Sequence, residues 1–210
     1  MSENIKVENN AAVENQTIIN IKTMSGNIAL PGQTITYTLP EKDTKTLTGT
    51  EVVLSTDYYN LFVIGAESFQ NDYFWIEVAR SVKANEYTDV EIADKFGILD
   101  KEAISQIVTF PTLFMSEFSY AHGRICPGQF AYFGVVTEIR KQKKECRIYF
   151  QKYASVPMES IVALSRELDL GVDFGGRGEI TRTHWSIKNA DLINELMNSG
   201  INVIDSLNIR

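Results

Sequence analysis

The sequence predicts an α+β fold, a mostly antiparallel sheet with several packed helices, preceded by a disordered tail. Short β-branched and aromatic runs come first, then two helical segments, a hairpin and more helices. This order is not a regular strand–helix alternation, so a doubly wound parallel sheet is not expected. With 210 residues, 44% of them apolar, the chain can bury roughly 70% of its unfolded surface and needs no disulfide or structural metal to fold.

The N-terminal part divides into a polar tail and a β-rich unit. Residues 1–16 are rich in Asn and Glu and predict disorder, because they bury too little apolar surface to offset the entropy of ordering. Residues 17–84 form the β-rich unit, and residues 85–210 an α+β unit that is either separate from it or continuous with it. The strands expected in the first unit are 34–38, 52–54 and 58–64. The stretch 72–82 fits either a strand or a helix face.

Residues 88–107 have the layout of a helix-turn-helix. Thr88 and Glu91 have capping-box spacing, and Gly97 ends the first helix. Asp100 is expected to cap the second helix, with Ile98 filling the space between the two. The segment is acidic, which opposes contact with phosphates, so a packed helical hairpin is expected and DNA reading is the alternative.

The most basic part of the chain is a predicted hairpin with strands 129–139 and 145–153. Residues 51–118 carry twelve acidic and four basic side chains, whereas residues 119–156 carry two acidic and seven basic ones. Basic residues interleaved with aromatic ones can track a nucleic acid, dock an acidic partner or contact the acidic stretch of the same chain. The candidate partner-binding residues are Arg140, Lys141, Lys143, Lys144, Arg147 and Lys152. A solvated loop that blocks edge pairing is the structural alternative.

Two helices and a strand are expected after the hairpin. Pro157 suits the first turn of a helix that runs to about Leu168 and ends at Gly171. A glycine-rich loop, 174–178, leads to a strand over 181–187, and Asn189 is expected to cap the last helix.

The segment 175–188 holds the densest set of chemically useful side chains. Its glycines can present backbone N–H groups to an anion, with Arg177, Arg182 and Lys188 as ligand-binding residues. His184 can act as an acid or base, oriented by Glu179. The spacing matches neither the P-loop nor the dinucleotide fingerprint. A turn followed by a partly buried strand explains the same residues structurally.

Glu117 is the third catalytic candidate, because it lies within an apolar run. A buried carboxylate must pair or shift its pKa. A partner such as Arg182 or Arg124 would make it a structural ion pair. A cleft shared with His184 or His122 would make it catalytic.

Several classes of protein are not expected. Cys126 and Cys146 stand alone, without the spacing of a zinc site, so no metal and no cofactor are predicted. The polar N-terminus lacks the apolar region of a signal peptide, and no apolar run is long enough to span a membrane. A cytoplasmic location without membrane contact is the resulting expectation.

These observations favour a non-enzymatic binding protein. Its contact surface would combine the hairpin 140–152 with the segment 175–188, and its partner would be another protein or a second copy of the chain. One alternative is a DNA-binding regulator that uses residues 88–107. The other is an enzyme acting on a nucleotide or phosphorylated ligand around Glu179, Arg182, His184 and Lys188.

Overall fold

The computed structural model describes residues 36–38, 51–83, 87–118, 120–121, 124–125, 128–171 and 178–207. The predicted disordered tail, residues 1–16, lies outside these ranges. The strands are β1 (Thr36–Thr38), β2 (Glu51–Val53), β3 (Tyr59–Ile64), β4 (Tyr73–Glu77), β5 (Pro111–Ser116), β6 (Tyr120–Ala121), β7 (Arg124–Ile125), β8 (Phe130–Lys141), β9 (Glu145–Pro157) and β10 (His184–Lys188). The helices are α1 (Val90–Phe96), α2 (Lys101–Ile107), α3 (Met158–Ala163), α4 (Leu192–Asn198) and α5 (Ile204–Leu207), with 3-10 turns at Val78–Arg80 and Glu179–Thr181.

A six-stranded sheet in the order β10-β3-β5-β8-β9-β4 organises the chain, beside the two-stranded pairs β1-β2 and β6-β7. The α+β class is therefore confirmed. The sheet is mixed, because β3 runs parallel to β5 while the other neighbours in it are antiparallel. β3 is buried along its whole length and β5 along almost all of it, as is usual for parallel strands covered on both faces.

Helices cover both faces of the sheet. Successive residues of a strand point to opposite faces, so Leu61 and Val63 of β3 enter one core and Phe62 and Ile64 the other. The first, which we call the C-terminal core, contains the buried residues of α3 and α4. The second, the aromatic core, contains those of α1 and α2. The helical hairpin 88–107 is therefore a packed layer of the fold.

The aromatic core is a cluster of closely spaced rings. Phe114 lies 4.7 Å from Phe150 and 5.6 Å from Phe62, centroid to centroid. Phe62 also stacks on Trp185, which is fully buried, at 5.0 Å. Because β10 supplies Trp185 and β4 supplies Phe74, which lies 5.1 Å from Phe62, this cluster joins both ends of the sheet through its centre.

Details of the helical hairpin differ from expectation. The Asp100 cap is confirmed, since its carboxylate accepts the Ala103 N–H at 2.8 Å. The capping-box prediction is wrong: Asp89 is the N-cap residue, and the Thr88 hydroxyl accepts the Ile187 N–H instead. Leu99, at a φ of 53°, is the residue buried at the turn, whereas Ile98 is 56% exposed.

The C-terminal elements are shorter than expected. α3 ends at Ala163, and hydrogen-bonded turns continue to Asp169, which has a positive φ and stops the helical course. The first residues of the expected strand 181–187 belong to the 3-10 turn, so β10 starts at His184. Asp191 rather than Asn189 caps α4, accepting the Asn194 N–H at 3.1 Å.

Strands from both sides of the expected boundary near residue 85 lie in the same sheet, since β3 and β4 pair with β10, β5 and β9. In the part of the chain that the structure describes, no helix is long and apolar enough to cross a bilayer.

Candidate functional site

Strands β8 and β9 form the predicted hairpin, with β8 reaching Lys141 toward the tip and β9 reaching Pro157 at the base. A tight turn closes the tip, where the Gln142 N–H donates to the Glu145 carbonyl at 2.8 Å. Two register shifts bend the ladder, and the first follows Phe133. At Gly134 a Cβ would lie 2.1 Å from the Gln151 carbonyl oxygen, so the close approach of the two strands requires glycine here.

The six basic candidates of the hairpin lie in four different settings, one of which Arg140 and Arg147 share. Lys141 is exposed, and its ammonium donates to the Ile98 carbonyl, which ties the hairpin to the turn between α1 and α2. Lys152 lies over the Tyr132 ring at 4.3 Å, away from the tip. Lys143 and Lys144 are exposed at the tip. The Lys141 contact is with a backbone carbonyl inside the stretch 51–118 and not with one of its acidic side chains.

Lys143 and Lys144 line a cleft of about 700 Å³. Its other walls come from the 3-10 turn after β4, from Lys83 and from Gly97. The tip meets that turn through the Val78 N–H, which donates to the Lys144 carbonyl at 2.8 Å. Three lysines and two glutamates line the cleft, and one of those glutamates, Glu77, is paired with Arg80 at 3.7 Å. The lining therefore carries an excess of one positive charge on a concave surface.

Two arginines and several aromatic rings cover the neighbouring face of β4, β8 and β9. The Arg147 guanidinium lies 3.6 Å from the centre of the Tyr73 ring and 4.9 Å from that of Tyr149. Arg140 lies over the same Tyr149 at 4.7 Å, and its Nε bonds Glu138 at 2.6 Å. That hydrogen bond raises the pKa of Arg140.

Two polar atoms on this face have no hydrogen-bond partner among the residues that the structure describes. They are Nε of Arg147 and Oε1 of Gln151, both shielded from solvent. Trp75 in β4 is 41% exposed, one of few large apolar side chains so exposed among the described residues. The face therefore combines exposed aromatic surface with two guanidinium groups.

The second group of candidates forms a buried cluster beside β10. Glu179 is its centre: Oε1 bonds His184 Nε2 at 3.0 Å and the Ser186 hydroxyl at 2.7 Å. Oε2 bonds Lys188 Nζ at 2.9 Å and the Gly171 N–H at 3.0 Å. Relative exposures are 0% for Glu179 and 2% for His184.

The charges of this cluster compensate one another. Burial alone would raise the pKa of Glu179, but the His184 hydrogen bond and the Lys188 charge outweigh it, so the pKa is lowered. His184 Nδ1 lies 2.7 Å from the Arg182 carbonyl, so each ring nitrogen lies next to an oxygen that can accept a hydrogen bond. Lys188 also donates to the Tyr87 carbonyl at 2.8 Å. Every charged group is satisfied from within, which is the arrangement of a structural network.

In the described contacts, Glu117 bonds neither an arginine nor a histidine, the two types of partner expected for it. Its carboxylate accepts the Thr183 N–H at 2.7 Å and the Thr183 hydroxyl. That hydroxyl in turn accepts the Gly65 N–H at 2.7 Å. Glu117 thus joins the end of β3 to the start of β10. His122, Arg177 and the Arg124 side chain lie outside the described residues.

The structure brings the candidates together in two separate places. Glu179, His184 and Lys188 lie at the β10 edge of the sheet, whereas Arg140, Lys143, Lys144 and Arg147 lie near the β4 edge. Strands β3, β5, β8 and β9 come between the two edges. Within the described ranges, no group of three or more His, Cys, Asp or Glu side chains is placed to hold a metal ion.

Some residues of the cleft and its surroundings were not predicted from the sequence. Lys83 and Trp75 precede the hairpin by many residues, and only the pairing of β4 with β9 brings them to it. In the sequence, Tyr73, Trp75 and Glu77 alternate with two apolar residues, which indicates a strand. The apolar residues from the strand into the following 3-10 turn also fit the spacing of a helix face, so the sequence pattern did not decide between the two. Comparison with family models, curated proteins and solved structures finds no match for the chain.

Proposed function

We propose that the chain is a non-enzymatic binding protein that holds an acidic segment of a protein partner at the cleft between the hairpin tip and the end of β4. The observation that carries the proposal is the convergence of Lys83, Lys143 and Lys144 on one concave site of about 700 Å³. Long-range attraction to such a site speeds encounter with an acidic partner and fixes its orientation.

The buried cluster around Glu179 gives less support to an enzyme. A catalytic group has to reach its substrate within hydrogen-bond distance. His184 and Lys188 are 2% and 3% exposed, and their described partners are groups of the protein itself. The contact surface proposed here is therefore confined to the hairpin side of the sheet.

DNA binding through residues 88–107 has little geometric support. The buried residues of α1 and α2 pack into the aromatic core. The exposed positions of this segment include five carboxylates, Asp89, Glu91, Asp94, Asp100 and Glu102. Such a surface repels phosphates.

The test is binding of a labelled polyglutamate peptide, measured by fluorescence anisotropy at low and moderate salt. The double variant Lys143→Glu/Lys144→Glu is expected to bind at least about tenfold more weakly, which is about 1.4 kcal/mol. The matched control is Lys101→Glu/Arg166→Glu, which reverses two exposed charges outside the cleft lining and is expected to bind like the natural chain. Equal loss in both variants, or no loss in either, would contradict the proposal.

A further inference from the structure

Strand β4 has a neighbour on one side only among the described strands. The hydrogen bonds Phe150 N–H to Asp72 and Val78 N–H to Lys144 fix which residues face β9. In an antiparallel ladder the bonded residues alternate, so the amides between them point the other way. The N–H and C=O groups of Tyr73 and Trp75 therefore point to the open edge, as does the Glu77 N–H, whereas the Glu77 carbonyl opens the 3-10 turn Val78–Arg80.

The opposite edge of the sheet is partly covered. There the Ile187 N–H of β10 donates to the Thr88 hydroxyl, and Lys188 reaches across to the Tyr87 carbonyl. Residues 87 and 88 thus cover part of β10, and no described residue bonds the outward amides of β4. An uncovered strand edge is a template for pairing with another extended chain.

We propose that the partner adds an extended acidic segment to β4 as a further strand, and that this segment continues past Glu77 into the cleft. This inference rests on the proposed function and names its binding mode. Pairing with β4 supplies main-chain hydrogen bonds to Tyr73, Trp75 and Glu77. Acidic side chains beyond that point meet Lys83, Lys143 and Lys144, which line the cleft where β4 ends.

A peptide fits this edge better than a nucleic acid does. Base stacking needs free ring faces, but Arg147 lies over Tyr73 at 3.6 Å, and Arg140 and Arg147 both lie over Tyr149. The outward amides, by contrast, are the groups that an extended peptide pairs with. Trp75, 41% exposed on the adjacent face, would pack against alternate side chains of the added strand.

The backbone of Glu77 allows a sharp test. Its φ of −65° is the angle that proline requires, and its amide is not used for pairing with β9. Glu77→Pro therefore removes one outward N–H and places a ring at the edge, with little strain in the fold. Glu77→Ala is the matched control, because it loses the same side chain and keeps the N–H. Circular dichroism and thermal unfolding of both variants establish that the fold is intact.

The probe is a labelled peptide of alternating Val and Glu, about eight residues long, so that at roughly 3.4 Å per residue it spans β4 and reaches the cleft. Two further versions of this peptide carry N-methyl groups on alternate amides. One has them on the odd-numbered residues and the other on the even-numbered residues, so that each version blocks one of the two registers. Glu77→Pro is expected to weaken binding of the first peptide at least about tenfold relative to Glu77→Ala. At least one N-methylated register is expected to lose binding to the same degree.

The outcomes separate this inference from the proposed function. If Lys143→Glu/Lys144→Glu abolishes peptide binding while Glu77→Pro and both N-methylated registers bind normally, the cleft holds acids without strand addition and the inference is overturned. It is also overturned if no peptide binds at about 1 mM. Tighter binding of single-stranded oligothymidylate, equal in both Glu77 variants, would overturn it in favour of a nucleic acid. A concentration-dependent dimer that Glu77→Pro converts to monomer would assign the edge to a second copy of the chain.

Discussion

The buried cluster beside β10 predicts a large loss of stability when its central charge is removed. Glu179→Gln preserves the size of the side chain but leaves the Lys188 ammonium without its carboxylate partner at 2.9 Å. Breaking a buried ion pair by neutralising one partner costs about 3–5 kcal/mol. For a chain of this length that corresponds to a fall of about 6–20 °C in Tm. Urea unfolding followed by tryptophan fluorescence measures the change, since buried Trp185 lies in the same strand as Lys188.

A double-mutant cycle tests whether the pair acts as a unit. Lys188→Met removes the other charge, and the double variant Glu179→Gln/Lys188→Met removes both, leaving no uncompensated charge in the pair. We expect the double variant to be more stable than the sum of the two single losses implies, by at least about 1 kcal/mol. The exposed Glu159 of α3 supplies the control: Glu159→Gln is expected to change the free energy of unfolding by less than about 0.5 kcal/mol.

The same cluster fixes the sign of the response to acid. Because the pKa of Glu179 is lowered in the folded chain, its contribution to stability is complete above the ordinary value of 4.5 and is lost as the pH falls below it. The Glu179→Gln variant is expected to lack this part of the acid-induced loss. A loss below about 1 kcal/mol at neutral pH, strict additivity in the cycle, or an unchanged acid profile would refute the structural role assigned to Glu179.

Two further predictions concern other buried groups. Tyr59 is fully buried and donates to the Leu168 carbonyl at 2.7 Å, and burial, with the charges of Glu179 and Asp169, raises its pKa well above 10.0. The stability that the Tyr59 hydroxyl contributes is lost as the pH rises above 10.0. Tyr59→Phe should therefore flatten the alkaline limb of a curve of unfolding free energy against pH. An unchanged alkaline limb would contradict this prediction. Gly134→Ala should cost about 1–3 kcal/mol by urea unfolding, because its Cβ meets the Gln151 carbonyl oxygen at 2.1 Å. Gly171→Ala, where the nearest atom is 3.8 Å away, is the control, and equal losses in the two variants would contradict the clash.

Sequence reasoning succeeded where a local pattern decides the structure. The hairpin follows from two alternating strands separated by a polar, basic turn, and both strands lie where they were expected. The Asp100 cap follows from a single side chain and the first turn of its helix. The faces of β10 follow from the alternation of His184 and Ser186 with Trp185, which lies in the aromatic core.

Sequence reasoning failed where distant parts of the chain decide the outcome. The parallel pairing of β3 with β5 depends on the crossover between them, which contains β4 and both helices of the hairpin 88–107. The partner of Glu117 depends on which strand lies next to β3, and Thr183 at the start of β10 takes the place that an arginine or histidine was expected to fill. The cleft depends on the pairing of β4 with β9, which no local pattern specifies.

The unequal edges of the sheet bear on which edge the proposed binding mode uses. A sheet with two open edges can add strands at both ends and grow without limit. Here the Thr88 hydroxyl and the Tyr87 carbonyl contact the β10 edge, and Lys188, which makes the second contact, is held in place by Glu179 at the centre of the buried cluster. Among the described strands, β4 is therefore the edge that each chain offers for the proposed strand addition. On this reasoning the buried cluster favours addition at β4, because it keeps residue 87 against the opposite edge.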